Sequence, residues 1–418
     1  MKTKIIIATA AVIIAAVAVT LFISLGTKSD KAVSSEKGQQ ELSASPTNLL
    51  CPEASSTAFA NNFVYYKTYD GIAEYDIESD SLAMIKVKLQ EYSNLSCYTI
   101  YDGVIYAVRS VYNSATQKED YSIVTVDYNS GEVTEVYSAP KDSILGCMSM
   151  DKDGDIYFVE GKYTKGETDE NGFSTGYSLY KYALKNSDKS EITKANTYYI
   201  SDGKLYFTRL CQKTDTVRLF IAPLSDPQNV KDTGIDVGSQ ISENTPYMYY
   251  PADGNVYYSN GENKLYRYNE DNEKSDTVCT FKDKSFVRYF QYFNNTMIVL
   301  VREPNDNGKM YQYVLYYLDN DNKPQKIIDD AKLNEKYFYG YEYIDYMTIF
   351  NNCEDYFLLS TYNPDADTAA YLVDKDFKLH KFISNGEWDY DTYAFYSCKF
   401  MRGNANSTAW ASSNIRIY

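Results

Sequence analysis

The chain has 418 residues, with 57 Asp and Glu against 41 Lys and Arg, a formal net charge of -16 and one histidine. So acidic a protein repels polyanions, which excludes nucleic acid as a partner and argues against an anionic lipid surface. Aromatic residues make up 16 % of the chain and 45 residues are tyrosine; tyrosine, with an apolar ring and a polar tip, suits half-buried strands, so composition alone reads as all-β.

The N-terminus is a different material. Lys2 and Lys4 precede 22 residues, Ile5 to Gly26, that hold no charge and include twelve Ile, Val, Leu or Phe. At ~1.5 Å per residue such a helix reaches about 33 Å, enough to cross a hydrocarbon core of ~30 Å. Residues 1–26 are therefore expected to be a cytoplasmic stub and a transmembrane signal anchor, because a cleaved secretory signal has an apolar core of only about 7 to 15 residues. Secretion after signal cleavage is the alternative. The lysines ahead of the span put the N-terminus in the cytoplasm and everything beyond it outside the cell. The membrane, met through this helix, is the first expected partner.

Residues 27–55 are rich in Ser, Lys, Glu and Gln and read as a flexible polar linker, too poor in large apolar side chains to fold. From 56 to 418 a unit repeats. "YDGVIYAV" from Tyr101, "KDGDIYFV" from Lys152, "SDGKLYFT" from Ser201 and "ADGNVYYS" from Ala252 are one phrase, an Asp-Gly turn opening a short strand. "ANNFVYYK" from Ala60 and "FNNTMIVL" from Phe293 put asparagine where glycine stood, and asparagine tolerates positive φ better than other ordinary residues. "NCEDYFLL" from Asn352 is a looser copy. The repeat turns are thus Asn62, Gly103, Gly154, Gly203, Gly254 and Asn295, and with residue 354 the spacings are 41, 51, 49, 51, 41 and 59.

A second strand follows each first one, as in "YSIVTVDY", "YSLYKYAL", "KLYRYNED" and "YVLYYLDN", and most units add a further short strand such as "GEVTEVYSA". Four short antiparallel strands recurring every 40 to 50 residues or so predict a single β-propeller of four-stranded blades. Eight blades are preferred, since "AWASSNIRIY" in the tail echoes the unit; seven is the alternative. An open ring would leave strand edges bare. The tail from Tyr393 to Tyr418 is therefore expected to pack beside the first blade, with residues around Leu49 completing its sheet.

The pairing of the Asp-Gly-strand phrase with "LYRY" or "LYKY" resembles bacterial cell-surface propellers related to the low-density-lipoprotein-receptor type, across most of residues 57–385. No copy carries the Tyr-Trp-Thr-Asp phrase of that type, so the resemblance implies fold and surface location and transfers no site.

Residues that could carry chemistry are few. His380, the lone histidine, lies in "DFKLHKF", where a solvated outer strand is expected. Asp151, Asp153 and Asp155 of "DKDGD" hint at calcium, but Ile156 and Lys162 stand where an EF-hand loop wants glycine and glutamate, so a turn is expected. The seven cysteines, Cys51, Cys97, Cys147, Cys211, Cys279, Cys353 and Cys398, fall about one per repeat with no close pair, and read as small buried packing residues. Glu342 with Asp345 and Asp389 with Asp391 are carboxylate pairs of the sort a glycosidase uses, though in an acidic chain such pairs are usually surface charge. No catalytic, cofactor or metal residue is assigned. The expectation is a membrane-tethered extracellular module, non-catalytic, binding a protein or glycan; the alternative is an extracellular carbohydrate-active enzyme, a hydrolase or lyase, with acids at the channel mouth.

Overall fold

The computed structural model describes residues 49–383, apart from 51–56, 61–62, 68–70, 77–78, 80, 91–92, 152, 163–166, 240–248, 253, 305–310, 330–345, 353–355 and 364–365. The chain divides into two units, residues 1–40 and 41–418, and every described residue belongs to the second. The described residues form strands and turns, with no α-helix among them. None of them therefore forms a helix able to cross a membrane, and the stretch from Ile5 to Gly26 lies outside them.

Strand β1 (Leu49–Leu50) comes first and is followed by seven sheets, each of four consecutive antiparallel strands. Sheet 1 is β2 (Thr57–Ala60), β3 (Phe63–Lys67), β4 (Gly71–Asp76) and β5 (Ser81–Lys86). Sheet 2 is β6 (Ser93–Tyr101), β7 (Val104–Asn113), β8 (Lys118–Val126) and β9 (Val133–Ser138). Sheet 3 is β10 (Ile144–Met150), β11 (Asp155–Gly161), β12 (Tyr177–Ala183) and β13 (Asp188–Lys194). Sheet 4 is β14 (Thr197–Ser201), β15 (Lys204–Cys211), β16 (Thr216–Pro223) and β17 (Lys231–Ser239). Sheet 5 is β18 (Tyr249–Ala252), β19 (Asn255–Tyr258), β20 (Lys264–Asn269) and β21 (Lys274–Thr280). Sheet 6 is β22 (Phe286–Phe293), β23 (Thr296–Pro304), β24 (Tyr311–Leu318) and β25 (Pro324–Asp329), and sheet 7 is β26 (Tyr346–Asn352), β27 (Tyr356–Asn363), β28 (Ala366–Asp374) and β29 (Leu379–Ile383).

Strand alternation explains the stacking. In β15, Leu205 and Phe207 join a core shared with Tyr157, Val159 and Leu179 of sheet 3, while Tyr206 between them joins Val256 and Tyr268 of sheet 5. In β23, Ile298 and Leu300 pack on Phe357, Leu359 and Tyr371 of sheet 7, and Val299 and Val301 pack on Tyr257 and Leu265 of sheet 5. A central strand that buries both faces cannot alternate apolar with polar, and each large side chain so buried contributes about 1.5 to 3 kcal/mol. Such a core fills each interface from sheets 1 and 2 to sheets 6 and 7. This is the face-to-face stacking of β-propeller blades.

The first strand of each sheet is its innermost. β2 touches β6, β6 touches β10, β14 touches β18, β18 touches β22, and β22 touches β26; β26 in turn touches β2. Between β10 and β14 lies β1, paired antiparallel with β14 through Leu49 opposite Ile200 and Leu50 opposite Tyr199. This corrects the expectation that residues around Leu49 complete the first sheet. The repeated phrase lies in the turn and second strand of each sheet and not in the inner strand, so it says nothing of which inner edge the segment reaches. The tail from Tyr393 to Tyr418, on which the eighth unit rested, lies outside the described residues.

Two further devices hold the sheets. The pairing of third to fourth strand is interrupted at Ile123/Val124, Leu179/Tyr180, Leu265/Tyr266, Leu315/Tyr316 and Ala370/Tyr371, so five sheets carry a bulge at one place. The bulge increases local twist, and in three of these sheets it falls on a Leu-Tyr pair. The connection between β11 and β12 reaches across to sheet 4. There Ser174 donates its N–H to Leu210 at 2.7 Å, Gln212 donates to Gly172 at 2.9 Å, and Phe173 meets the Phe220 ring edge-on at 5.1 Å.

Candidate functional site

The feature of the ring most open to chemistry is the inner edge of sheet 4. β14 reads Thr197, Tyr198, Tyr199, Ile200, Ser201, and its side chains alternate between neighbours. Tyr198 is fully buried towards sheet 3, where its hydroxyl donates to the Tyr157 carbonyl at 2.9 Å and pairs with Ser149 Oγ at 2.6 Å. Tyr199 faces the other way, half-buried, its ring 4.8 Å from Tyr249 and 6.1 Å from Tyr250. From there the rings continue along the inner strands: Tyr250 lies 6.3 Å from Tyr292, and Tyr292 lies 5.5 Å from Tyr257 with their hydroxyls hydrogen-bonded at 2.9 Å. Tyr249 anchors the arc, its hydroxyl 3.1 Å from Thr197 Oγ1, which is itself 2.7 Å from Thr208 Oγ1. An innermost strand has one backbone edge without a partner in its own sheet, and an extended chain pairs with such an edge by main-chain hydrogen bonds. β1 does this on β14.

A second set of residues, missed in the sequence, consists of buried glutamates met by tyrosines. Tyr128 donates to Glu74 at 2.5 Å, joining sheet 2 to sheet 1, and Tyr137 donates to Glu160, joining sheet 2 to sheet 3. Tyr206 donates to Glu270 at 2.7 Å, with Lys204 on the other carboxylate oxygen at 2.6 Å. Within sheet 6, Tyr316 donates to Glu303 at 2.9 Å. Burial, and then the neighbouring carboxylate, push all four tyrosines above their ordinary range, so their hydroxyls remain donors. Lys189 completes the Glu160 site, 2.5 Å from its carboxylate and 3.8 Å from the centre of the Tyr180 ring. The sequence signal was present in outline, as a Tyr-rich chain with acids inside its strands, but partners 13 to 64 residues apart are found only through the fold.

The residues singled out in the sequence are dispersed. Gly103, Gly154, Gly203 and Gly254 have φ of +72, +83, +71 and +68°, and Asn295 has φ of +56°. Asn62 lies outside the described residues, as do Glu342, Asp345, Asp389, Asp391, Cys51, Cys353 and Cys398. His380 is on β29, exposed, with Nε2 2.8 Å from Asp374 Oδ2. Burial would raise the Asp374 carboxyl, but the His380 bond and the N–H groups of Lys378 and Asp376 outweigh it and hold it below its usual range. In "DKDGD", Asp151 Oδ1 accepts the N–H groups of Asp153 and Asp155, both at 2.9 Å, while Asp155 pairs with Lys181 at 2.5 Å. Those carboxylates tie a turn. Cys97, Cys211 and Cys279 are buried, and burial pushes the Cys279 thiol up to about 11.

No family model matches the chain, and no curated protein matches it. Among solved structures it is similar to Porphyromonas gingivalis dipeptidyl peptidase 4, at 9 % identity over 85 % of this chain and 62 % of that one, TM-score 0.49. It is similar to a post-proline cleaving enzyme from Rickettsia typhi, at 10 % identity over 82 % and 54 %, TM-score 0.49. A third is Pyrococcus horikoshii acylaminoacyl peptidase, at 14 % identity over 77 % and 50 %, TM-score 0.46. The chain spans about half the length of the solved structures it matches. These neighbours are named as peptidases, and the likeness shows the fold alone. The expected function, a non-catalytic binding module for a protein or glycan with a carbohydrate-active enzyme as the alternative, is corrected to this extent: the matched proteins named here are peptidases, and the likeness to them is one of fold.

Proposed function

We propose that the chain is a seven-bladed, peptidase-associated β-propeller that handles peptides in extended form at the inner edge of its sheets. The observation that carries the peptide reading is β1, an extended segment already paired antiparallel on the innermost strand of sheet 4. Main-chain pairing of this kind takes peptides of varied sequence, because the backbone provides the bonds. Peptide cleavage, the activity named for the neighbouring structures, is the proposed context, with the ring presenting substrate to a catalytic unit. What supports seven blades is that β26 of the last described sheet touches β2 of the first.

The same proposal places the ring outside the cell on a membrane anchor. What supports it is the uncharged stretch from Ile5 to Gly26 behind Lys2 and Lys4, together with the resemblance of the repeat phrase to cell-surface propellers. The test is made on host cells lacking the chain. Intact cells are given quenched-fluorescent decapeptides, and hydrolysis at the surface should slow and recover on re-expression of the full chain. Unchanged hydrolysis across the peptide set would overturn the reading.

A further inference from the structure

We infer that β1 is a place-holder in a peptide-binding groove, and that a longer extended peptide, aliphatic at the two positions opposite Tyr199 and Ile200, takes its place on β14. The inference rests on the peptide-handling reading and adds the site, the resident occupant and the preferred ligand. β14 offers five residues, Thr197 to Ser201, and β1 pairs with only two of them. Among the described residues, no other inner strand carries an added strand.

The sequence explains why the occupant is short. β1 lies in "SPTNLLCP", between Pro46 and Pro52. Proline has no N–H to give to a ladder and so limits a strand on both sides. Continuing the same register would put Pro52 opposite Thr197, so a free peptide without those prolines can pair along the whole of β14 and gain main-chain bonds that β1 does not make. β1 also belongs to the same chain, so it is present at a high effective concentration, and an incoming peptide must displace it. The groove is thus closed at rest and opens to a ligand that pairs over a greater length. At its rim stands the half-buried Tyr199, from which the rings of Tyr249, Tyr250 and Tyr292 run on along the inner wall.

The test uses the full chain and a fluorescein-labelled hexapeptide, acetyl-TNLLVT-amide, which keeps the leucine pair and drops the prolines. Its binding is followed by fluorescence polarisation to the wild-type chain and to a variant with Leu49→Pro and Leu50→Pro, in which the resident segment can no longer pair. The variant should bind at least tenfold more tightly, and a peptide N-methylated at both leucines should bind neither protein. In the wild-type chain, saturating unlabelled peptide should speed amide hydrogen exchange in residues 45–52, a readout that stands even if the variant does not fold. Equal affinity for both folded proteins, equal binding of the N-methylated peptide, or unchanged exchange in residues 45–52 would overturn the inference. Binding that is equal in both proteins would leave peptide handling in place at another site, whereas no binding of this or any peptide in a mixed extended set would remove both.

Discussion

Replacing Lys189 by methionine should destabilise the interface between sheets 2 and 3 more than neutralising its partner does. Glu160 is 6 % exposed and Lys189 23 %, with Nζ 2.5 Å from Oε1. Tyr137 also donates to Glu160, and the Lys189 ammonium lies over the rings of Tyr180, Tyr137 and Phe158 at 3.8, 4.8 and 5.7 Å. In Lys189→Met the carboxylate stays buried with its countercharge gone, and breaking a buried pair in this way costs about 3 to 5 kcal/mol. In Glu160→Gln the amide oxygen still accepts from Tyr137, and the lysine, less buried and still over an aromatic face, retains part of its solvation. That loss is about 1.5 to 3 kcal/mol, the range for a hydrogen bond to a charged group. The double variant should recover much of the single loss, with a coupling of about 0.5 to 3 kcal/mol. Thermal melting of the full chain and the three variants gives the order directly. Adding ~1 M salt should not erase it, because buried charges are poorly screened. If Lys189→Met melts no lower than Glu160→Gln, the pair does not hold the interface.

Two further outcomes follow from local geometry and titration. A Cβ on Gly203, at φ +71°, would meet nothing within 4 Å, so Gly203→Ala should lose only the left-handed backbone penalty of about 1 to 2 kcal/mol; on Gly154, at φ +83°, it would come 3.0 Å from the Tyr101 ring, so Gly154→Ala should melt lower still, and equal melting would show that the ring yields freely. Tyr128, Tyr137, Tyr206 and Tyr316 bind their protons more tightly folded than unfolded, so their contribution is complete below the unfolded value of 10.0 and is lost as pH rises above it; melting should therefore fall above pH 10.0, and the fall should shrink in Tyr206→Phe, with an unchanged pH profile counting against the Glu270 contact.

The repeat was legible because a propeller says the same thing in each blade. The Asp-Gly phrase marks the hairpin between first and second strands, and Gly103, Gly203 and Gly254 stand in the turns joining β6 to β7, β14 to β15 and β18 to β19. "LYKY", "LYRY" and "LYYL" were legible only as strands. The structure shows that their Leu-Tyr step is where the outer pairing bulges, information held in the register and not in the composition. The candidate site was legible only in part: a segment around Leu49 was expected to complete a sheet, but on the first sheet, whereas it pairs on sheet 4. "TNLL" sits in a stretch whose composition says linker, and its pairing with β14 depends on which inner edge lies within reach of the chain, which the fold decides. The clasp of Phe173 on sheet 4 was hidden for the same reason, since nothing in "DENGFSTG" distinguishes a crossing loop from an ordinary hairpin.

The acidity and the abundance of tyrosine, first used only to exclude partners and suggest strands, turn out to be one property of the fold. Stacked sheets of short strands need side chains long enough to reach the next sheet and polar enough at the tip to end there, and tyrosine has both. A buried hydroxyl needs an acceptor. In Tyr128, Tyr137 and Tyr206 that acceptor is a glutamate of an adjoining sheet. Other acids are spent at the hairpins: Asp127 accepts the N–H groups of Asn129 and Ser130, Asp319 those of Asp321 and Lys323, and Asp374 those of Asp376 and Lys378. The Ser130 hydroxyl and then its N–H hold the Asp127 carboxyl below its usual range, as the Lys323 N–H above all does for Asp319, so the charge is present wherever the turn is formed. Part of the negative charge thus closes turns and part ends tyrosines, so acids and tyrosines are joined by the same contacts.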